Sequence, residues 1–424
     1  MNTDKLRGFR EIYSEEMYTR KRVFETIKNV AENFGFSEID YPSVEPLELF
    51  EIKSGQELVS QAFSFRDKSQ RAITLIPEIT PTVARMIAKK KDLLMPVKWY
   101  SFPKLWRYEE PQSGRLREFY QFNADIFGTL SVEADAEIIA LAITILNMLG
   151  LKGKYTIKIS DRILMENVLR QMGASDIDSM FKLIDKSSKI AREEFIELLE
   201  DYLTEEKALK LIKLLEFEGN AEELKSFIDV ENSEISDRLK TLQTLEEYLN
   251  AYSVTEYKFD FVTVRGLAYY TSIVFEAKDN QGEFRSILGG GRYDKVVELF
   301  GSRPVPAVGF GLGDVVLEVL MRREGLWKSE ASQLDYYVIT DNKSRAYAIK
   351  ILSKIRSYGY KADINFIDRS ISNQFKYANK IKVKNVIVIG EQERLNDSVS
   401  IKNMESGEQI TVLASKFLEN KNKN

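Results

Sequence analysis

Apolar and polar positions change their period several times along the chain. Met17, Phe24, Ile27, Ala31 and Phe34 recur at helical spacing as far as Gly35. That predicts an amphipathic helix with Ser14 as N-cap, Glu15 and Glu16 in its first turn and a glycine just past its end. Phe36 to Phe50 reads as a strand interrupted at Pro42. Ile73 to Ala88 begins as a strand and becomes a helix at Thr80-Pro81, an N-cap followed by proline at N1. Ser131 heads a further helix through Ile138, Ala142, Ile145 and Leu149, ended by Gly150, and Tyr155 to Ser160 is a short strand. From about Asp161 to Tyr252 the pattern is charged and helical. None of the nine prolines falls between Pro111 and Pro304, so a helical insertion is predicted there. Strand patterning returns at Phe259, and Tyr270, Ser272, Val274 and Glu276 alternate. Gly289-Gly290-Gly291 lets backbone approach closely and reads as a hairpin turn. Ala307 to Leu320 is a strand, a glycine break and a helix. A linker near Trp327 to Ser332 leads to DYYVIT, AIKILSKIRSYG, KADINF, NQFKYANKI and NVIVIG, whose alternation predicts a small α/β domain with parallel strands.

One stretch departs from the rest. KLWRYEEPQSGRLREFYQFNADIFG, from Lys104 to Gly128, is a strand, a charged loop broken by Pro111 and Gly114, and a second strand. Arg107, Glu109, Gln121 and Asp125 are all odd-numbered, so period-two alternation places them on one face if the strands run unbulged. A solvated outer face is the plain reading of such charges. A cation, two carboxylates and an amide gathered on one sheet face make it a candidate site.

Composition narrows the chemistry. With 424 residues, 44% hydrophobic and 30% charged, the chain has the profile of a soluble protein of two or three domains. Its longest apolar run, Ile138 to Leu149, suits a buried helix rather than a membrane span. The beginning, MNTDKLRGF, lacks the apolar core of a signal peptide, and the cytoplasm is the expected compartment. Cysteine and histidine are both absent. That excludes disulfides, thiolate nucleophiles, imidazole general bases and imidazole metal ligands. Phosphoryl or nucleotidyl transfer fits what remains, because its catalysis is mostly positioning and charge neutralisation. The formal charge is −4, but residues 331–424 carry 16 Lys and Arg against 10 Asp and Glu, a net of +6. A basic module on an acidic body fits contact with phosphates, or simply a solvated lysine-rich domain.

The stretch from Lys104 to Gly128 resembles motif 2 of the class II aminoacyl-tRNA synthetases, in the form found in histidyl-tRNA synthetases. VRGLAYYTSIVFEA, Val264 to Ala277, and GGGRYD, Gly289 to Asp294, resemble two further signatures of that family in the expected order. Phe36 to Phe50 is similar to motif 1, Ala307 to Leu320 to motif 3, and the likeness runs from about Arg7 to about Glu408. The fold implied is an α+β catalytic domain built on an antiparallel sheet with flanking helices, residues 1–326. It carries the helical insertion at about 161–252 and is followed by a C-terminal α/β anticodon-binding-like domain, residues 332–424. The activity implied is that of a histidine–tRNA ligase: histidine and ATP, with Mg2+ on the phosphates and no dedicated protein metal site, give histidyl-adenylate. The histidyl group then passes to the 3′ end of tRNA(His). By the same resemblance Arg107 and Arg265 are catalytic and flank the α-phosphate, Glu109 meets the adenine amino group, and Arg115 meets the terminal phosphates. Glu78, Thr80, Gln121, Asp125, Arg265, Tyr269, Tyr270 and Tyr293 line the histidine pocket. A homodimer with Pro42 at its interface is implied, as is an insertion leaning over the tRNA acceptor arm; a plain packing module is the alternative for the insertion. Lys376, Lys380, Lys382 and Lys384 are phosphate candidates on the C-terminal domain. The sequence departs from the family at Ile76, Ala268 and Val316, where the family has or often has Arg, Asp and Arg. The departures at Ala268 and Val316 favour one alternative, a non-catalytic paralogue that senses histidine or uncharged tRNA and regulates another enzyme; a second alternative is an RNA-binding scaffold, which would have no reason to keep the pocket.

Overall fold

The computed structural model describes residues 3–51, 55–187, 190–228, 231–263, 269–284, 286–301, 303–328 and 334–419. The chain divides into two compact units, residues 1–328 and 329–424.

The first unit is built on a ten-stranded sheet. Its strands and those of a smaller sheet are, in chain order, β1 (Ser37–Glu38), β2 (Val44–Pro46), β3 (Ser64–Arg66), β4 (Ala72–Leu75), β5 (Val97–Ser101), β6 (Lys104–Trp106), β7 (Glu118–Phe127), β8 (Tyr155–Asp161), β9 (Glu218–Gly219), β10 (Tyr257–Asp260), β11 (Ile273–Asp279), β12 (Leu288–Arg292) and β13 (Ala307–Gly313). The large sheet has the order β1-β5-β7-β13-β12-β11-β8-β10-β9, with β6 also on β7, and β2-β4-β3 form the separate sheet. From β5 to β8 every pairing is antiparallel, with parallel β1 and β10 outside them.

Period-two alternation explains the two faces of the sheet. Phe122, Ala124 and Ile126 of β7 and Val308, Phe310 and Leu312 of β13 enter the main core. On the opposite face β7 presents Gln121, Asn123 and Asp125, while β13 presents Gly309, Gly311 and Gly313 directly across from them. That face therefore has a floor without side chains along β13 and a polar wall along β7. The glycine run Gly289-Gly290-Gly291 is not a turn. It lies inside β12, between β11 and β13. Gly290 has no room for more, because an added Cβ would collide with the Gly309 carbonyl and sit 2.7 Å from the Phe275 ring. The supposed glycine break at 309–313 is likewise continuous strand.

Helices pack on both faces of the sheet, against the main core on one and a second apolar cluster on the other. α1 (Ser14–Asn33) buries Val23, Ile27, Val30 and Ala31. Ser14 is its first helical residue rather than its cap, Tyr13 standing at the N-cap; Gly35, at φ +79°, follows the end as expected. Two short helices, α2 (Glu48–Glu51) and α3 (Gly55–Ser60), precede α4 (Thr80–Lys89), whose N-cap is Ile79, so Thr80 too is helical and not a cap. α5 (Val132–Met148) is buried on most sides, and the Ser131 side chain accepts from the Glu133 N–H as its cap. Phe36 to Phe50 is two strands in two sheets, β1 and β2, with a bend at Ser43 between them and the start of α2 at its end.

The insertion is helical: α6 (Arg162–Gln171), α7 (Ile177–Lys186), α8 (Arg192–Glu200), α9 (Glu205–Leu215), α10 (Ala221–Leu224) and α11 (Ser233–Ala251), interrupted by β9. It has no separate core among the described residues; Leu164, Leu199, Leu211 and Leu242 join the same apolar cluster as α1 and α5. α12 (Asp314–Arg323) closes the unit beside β13.

The second unit has its own sheet and core. β14 (Tyr336–Thr340), β15 (Ala362–Ile364) and β16 (Asn385–Ile389) are parallel, as their alternation with α13 (Arg345–Ser357) and α14 (Ile371–Lys380) predicts. After α15 (Glu391–Leu395), β17 (Ser398–Asn403) and β18 (Gln409–Leu413) extend the sheet in antiparallel fashion, and α16 (Ala414–Glu419) follows. That hairpin was hidden in a polar stretch. Lys376, Lys380, Lys382 and Lys384 are all exposed.

Candidate active site

Two adjoining cavities lie over the glycine floor. The wider, about 540 Å³, is walled by the loop between β6 and β7 (Arg107, Glu109, Gly114, Arg115), by Glu276 and Lys278 of β11, and by Val315 and Val316 of α12. The narrower, about 260 Å³, is lined by Glu78, Thr80, Asn123, Asp125, Tyr269, Tyr270 and Tyr293. Arg107, Gln121, Gly289 and Gly311 line both, so the cavities share a wall and Arg107 stands at their junction.

The narrower cavity is polar yet deeply buried. Asp125 is 7% exposed and accepts a short hydrogen bond from the Tyr293 hydroxyl. Burial pushes its carboxyl up to about 7, although that hydrogen bond pulls the other way. Burial, with Asp125 next to it, holds the Tyr293 phenol well above its usual range. Glu78 is buried before α4 and accepts from the Tyr269 hydroxyl at 3.4 Å. Gln121 donates to the Asn123 carboxamide at 2.7 Å. An added Cβ on Gly309 would run into the Asp125 carboxylate, and one on Gly311 would come within 2.6 Å of the Gln121 amide nitrogen. The glycines thus make the space in which these polar groups stand.

The wider cavity mixes charge. Arg107 donates from Nε to the Pro77 carbonyl at 2.8 Å, and its guanidinium lies 5.3 Å from the Phe119 ring centre. Glu109 pairs with Arg115 at 2.6 Å, and Glu276 with Lys278 at 2.7 Å. Among the described residues no group of three or more acidic side chains could hold a metal ion.

Behind the floor, Arg292 of β12 is 4% exposed. It donates to Asp135 of α5 at 2.6 Å and to the Thr129 and Ser131 carbonyls at 2.8 and 3.1 Å. Burial raises Asp135 to about 6 against the pull of Arg292. This pair fixes the strand that delivers Tyr293.

The structure brings together Arg107, Glu109, Arg115, Glu78, Thr80, Gln121, Asp125, Tyr269, Tyr270 and Tyr293 around these cavities. Arg265 and Ala268 lie outside the described residues. Sequence reasoning missed Asn123, which the odd-number parity of β7 already placed on the same face, and Lys278, two residues beyond the alternation read as far as Glu276. Val316 lines the wider cavity as an apolar wall.

A mixed, mainly antiparallel sheet with a polar cleft on one face, followed by a small α/β unit, defines a class II aminoacyl-tRNA synthetase architecture. Solved structures share the fold. A histidyl-tRNA synthetase from a Nostoc species superposes with a TM-score of 0.85, covering 100% of this chain and 99% of that one at 24% identity. A Bacillus halodurans C protein described as an ATP phosphoribosyltransferase regulatory subunit/histidyl-tRNA synthetase gives 0.78, covering 92% of this chain and 99% of that one at 22% identity. The histidyl-tRNA synthetase family model matches residues 8–314, and an anticodon-binding domain model matches residues 335–423. The chain is 44% identical to a histidine–tRNA ligase of Thermoplasma volcanium over 97% of this chain and 96% of that protein. It is 42% identical to one of Picrophilus torridus over the whole of both. The chain belongs to the histidyl-tRNA synthetase family.

Proposed function

We propose that this protein is a histidine–tRNA ligase that works as a cytoplasmic homodimer. The observation that carries the reading is the pair of cavities joined at Arg107: one suits a nucleotide triphosphate, the other a small polar ligand with a cationic end and a ring. ATP occupies the wider cavity and histidine the narrower. The histidine carboxylate attacks the α-phosphorus in line, pyrophosphate leaves, and the terminal ribose hydroxyl of the tRNA later attacks the carbonyl and expels AMP. Arg107, placed where both substrates meet, stabilises charge growing on the α-phosphate; its planar fork suits phosphate. Arg265 joins it by family resemblance. Glu78 holds the α-amino group with Thr80 beside it, and Asp125 with Tyr293 reads the imidazole, with Gln121, Tyr269 and Tyr270 around it.

Glu109 and Arg115 are in contact, and this constrains the ATP. If Glu109 meets the adenine amino group and Arg115 the terminal phosphates, both ends of the nucleotide lie within one ion pair of each other. An extended triphosphate does not satisfy that, so the bound ATP is bent. Mg2+ fits the donor set as an ion carried on the phosphates. Among the described residues, Glu109 and Glu276 are the carboxylates lining the wider cavity, each already paired with a cation, which is too few for a protein cage. The ion supplies charge neutralisation on the leaving pyrophosphate.

Two features support the remaining parts. No described helix is long and apolar enough to cross a membrane. Val44 on β2 and Phe65 on β3 are 38% and 49% exposed on the outer strands of the three-stranded sheet, a surface suited to a second copy. Histidine-dependent exchange of pyrophosphate into ATP, followed by charging of tRNA(His), tests the function. A protein that binds histidine without exchanging pyrophosphate would instead be a regulatory paralogue.

A further inference from the structure

The segment ahead of α1 touches both walls of the wider cavity. At Leu6 to Phe9 the chain turns, the Phe9 N–H donating to the Leu6 carbonyl at 3.1 Å with Gly8 at φ +85°. The Gly8 carbonyl accepts from the Arg117 N–H at 2.9 Å, at the base of the β6–β7 loop. Arg117 in turn donates from Nε to the Glu109 carbonyl at 2.9 Å and lies 4.0 Å over the Tyr108 ring. Phe9 stands 6.1 Å from Phe63, which stands 5.2 Å from Tyr108. One residue on, the chain reaches the other wall. Arg10 pairs with Asp314 at 2.7 Å and with Glu318 at 3.2 Å, at the start of the helix that contributes Val315 and Val316.

We propose that residues 8–10 form a clamp that sets the separation of the two cavity walls, making Gly8 and Arg10 positioning residues for the nucleotide. This rests on the reading of the wider cavity as the ATP site. Neither residue lines the cavity; both act through what they hold. The fully buried Arg20 pairs with the same two carboxylates, so Arg10 completes a four-membered ion cluster that ties the segment ahead of α1 to the start of α12. The walls are also close: a Cβ on Gly114 at the loop tip would lie 3.2 Å from the Val316 side chain. A shift of a few tenths of an ångström between them therefore changes the shape that ATP meets.

The test is pyrophosphate exchange with the full chain, varying ATP and histidine separately, for Arg10→Ala, Arg10→Lys, Gly8→Ala and Arg115→Ala. Arg10→Ala should raise KM for ATP roughly tenfold, leave KM for histidine nearly unchanged, lower the Tm because it strips a partner from the buried Asp314, and be largely rescued in both respects by Arg10→Lys. Gly8→Ala should move ATP affinity the same way, since its methyl would lie 2.8 Å from the Arg117 side chain. Both substrates' KM values rising together, or activity falling only in step with Tm, would overturn the clamp. Arg115→Ala reports on the cavity itself. An effect there without one at Arg10 overturns the clamp alone, whereas no effect there overturns the ATP site and the clamp with it.

Discussion

On the proposed reading, Asp125 is the residue at which substrate recognition and stability pull apart. An unfolded aspartate ionises near 3.9, and burial moves this one up to about 7. Between those values the folded chain keeps a proton that the unfolded chain has released, so stability falls as pH rises across the window, by about 4 kcal/mol in all. Asp125→Asn removes that loss. Its denaturant midpoint should exceed the parent's more at pH 8 than at pH 4, and an equal gap at both would contradict the raised carboxyl. Recognition in the proposed site uses the ionised carboxyl that burial disfavours. A buried carboxylate favours a charged imidazole, so bound histidine should titrate at higher pH than free histidine, and Asp125→Asn should reverse the shift. With no histidine in the chain, NMR of ring-labelled histidine reads this without background in an untagged protein. The raised value means that affinity declines as pH rises through the bound pKa. Asp125 itself was legible from parity along one strand. Its bond to Tyr293 was not, because 168 residues separate them and no local pattern couples two strands.

At the scale of elements, glycine decides the site. Local chemistry reads three successive glycines as a turn, since glycine weakens strands and favours φ > 0. In β12 tertiary context prevails: the neighbouring strands leave no room for a side chain at Gly290 or Gly291. Gly309→Ala should push the Asp125 carboxylate aside and raise KM for histidine at least roughly tenfold while leaving KM for ATP nearly unchanged. Gly290→Ala meets the Gly309 carbonyl, the Phe310 Cβ and the Phe275 ring instead, and should destabilise the fold by about 1–3 kcal/mol, seen as a lowered Tm. Caps were legible where a side chain does the capping, as at Ser131, and displaced by one residue at Ser14 and Thr80, where none does.

At the scale of the molecule, the two units keep separate cores: the apolar clusters of one lie within residues 23–327 and those of the other within 334–417. A chain ended after Lys328 should therefore fold, retain histidine-dependent pyrophosphate exchange, and lose most tRNA charging. Equal loss of both activities would show that the second unit supports the first. The division was legible because composition changes near it, net charge turning to +6 over residues 331–424. How tightly the helical insertion joins the main core was not legible, since an amphipathic helix shows that it has a buried face but not what covers it.

The place of β7 in the sheet also sets an order of events during synthesis. β7 ends at Phe127 and its central partner β13 begins at Ala307, 180 residues later. At about 5–20 residues per second, the ribosome leaves that edge without its partner for roughly 10–40 s while the helical insertion emerges. Asp125 waits with it, facing no Gly309. Histidine therefore cannot assist the folding of the nascent chain over that interval, and a chain stalled before Gly313 should carry folded helices and no affinity for the amino acid.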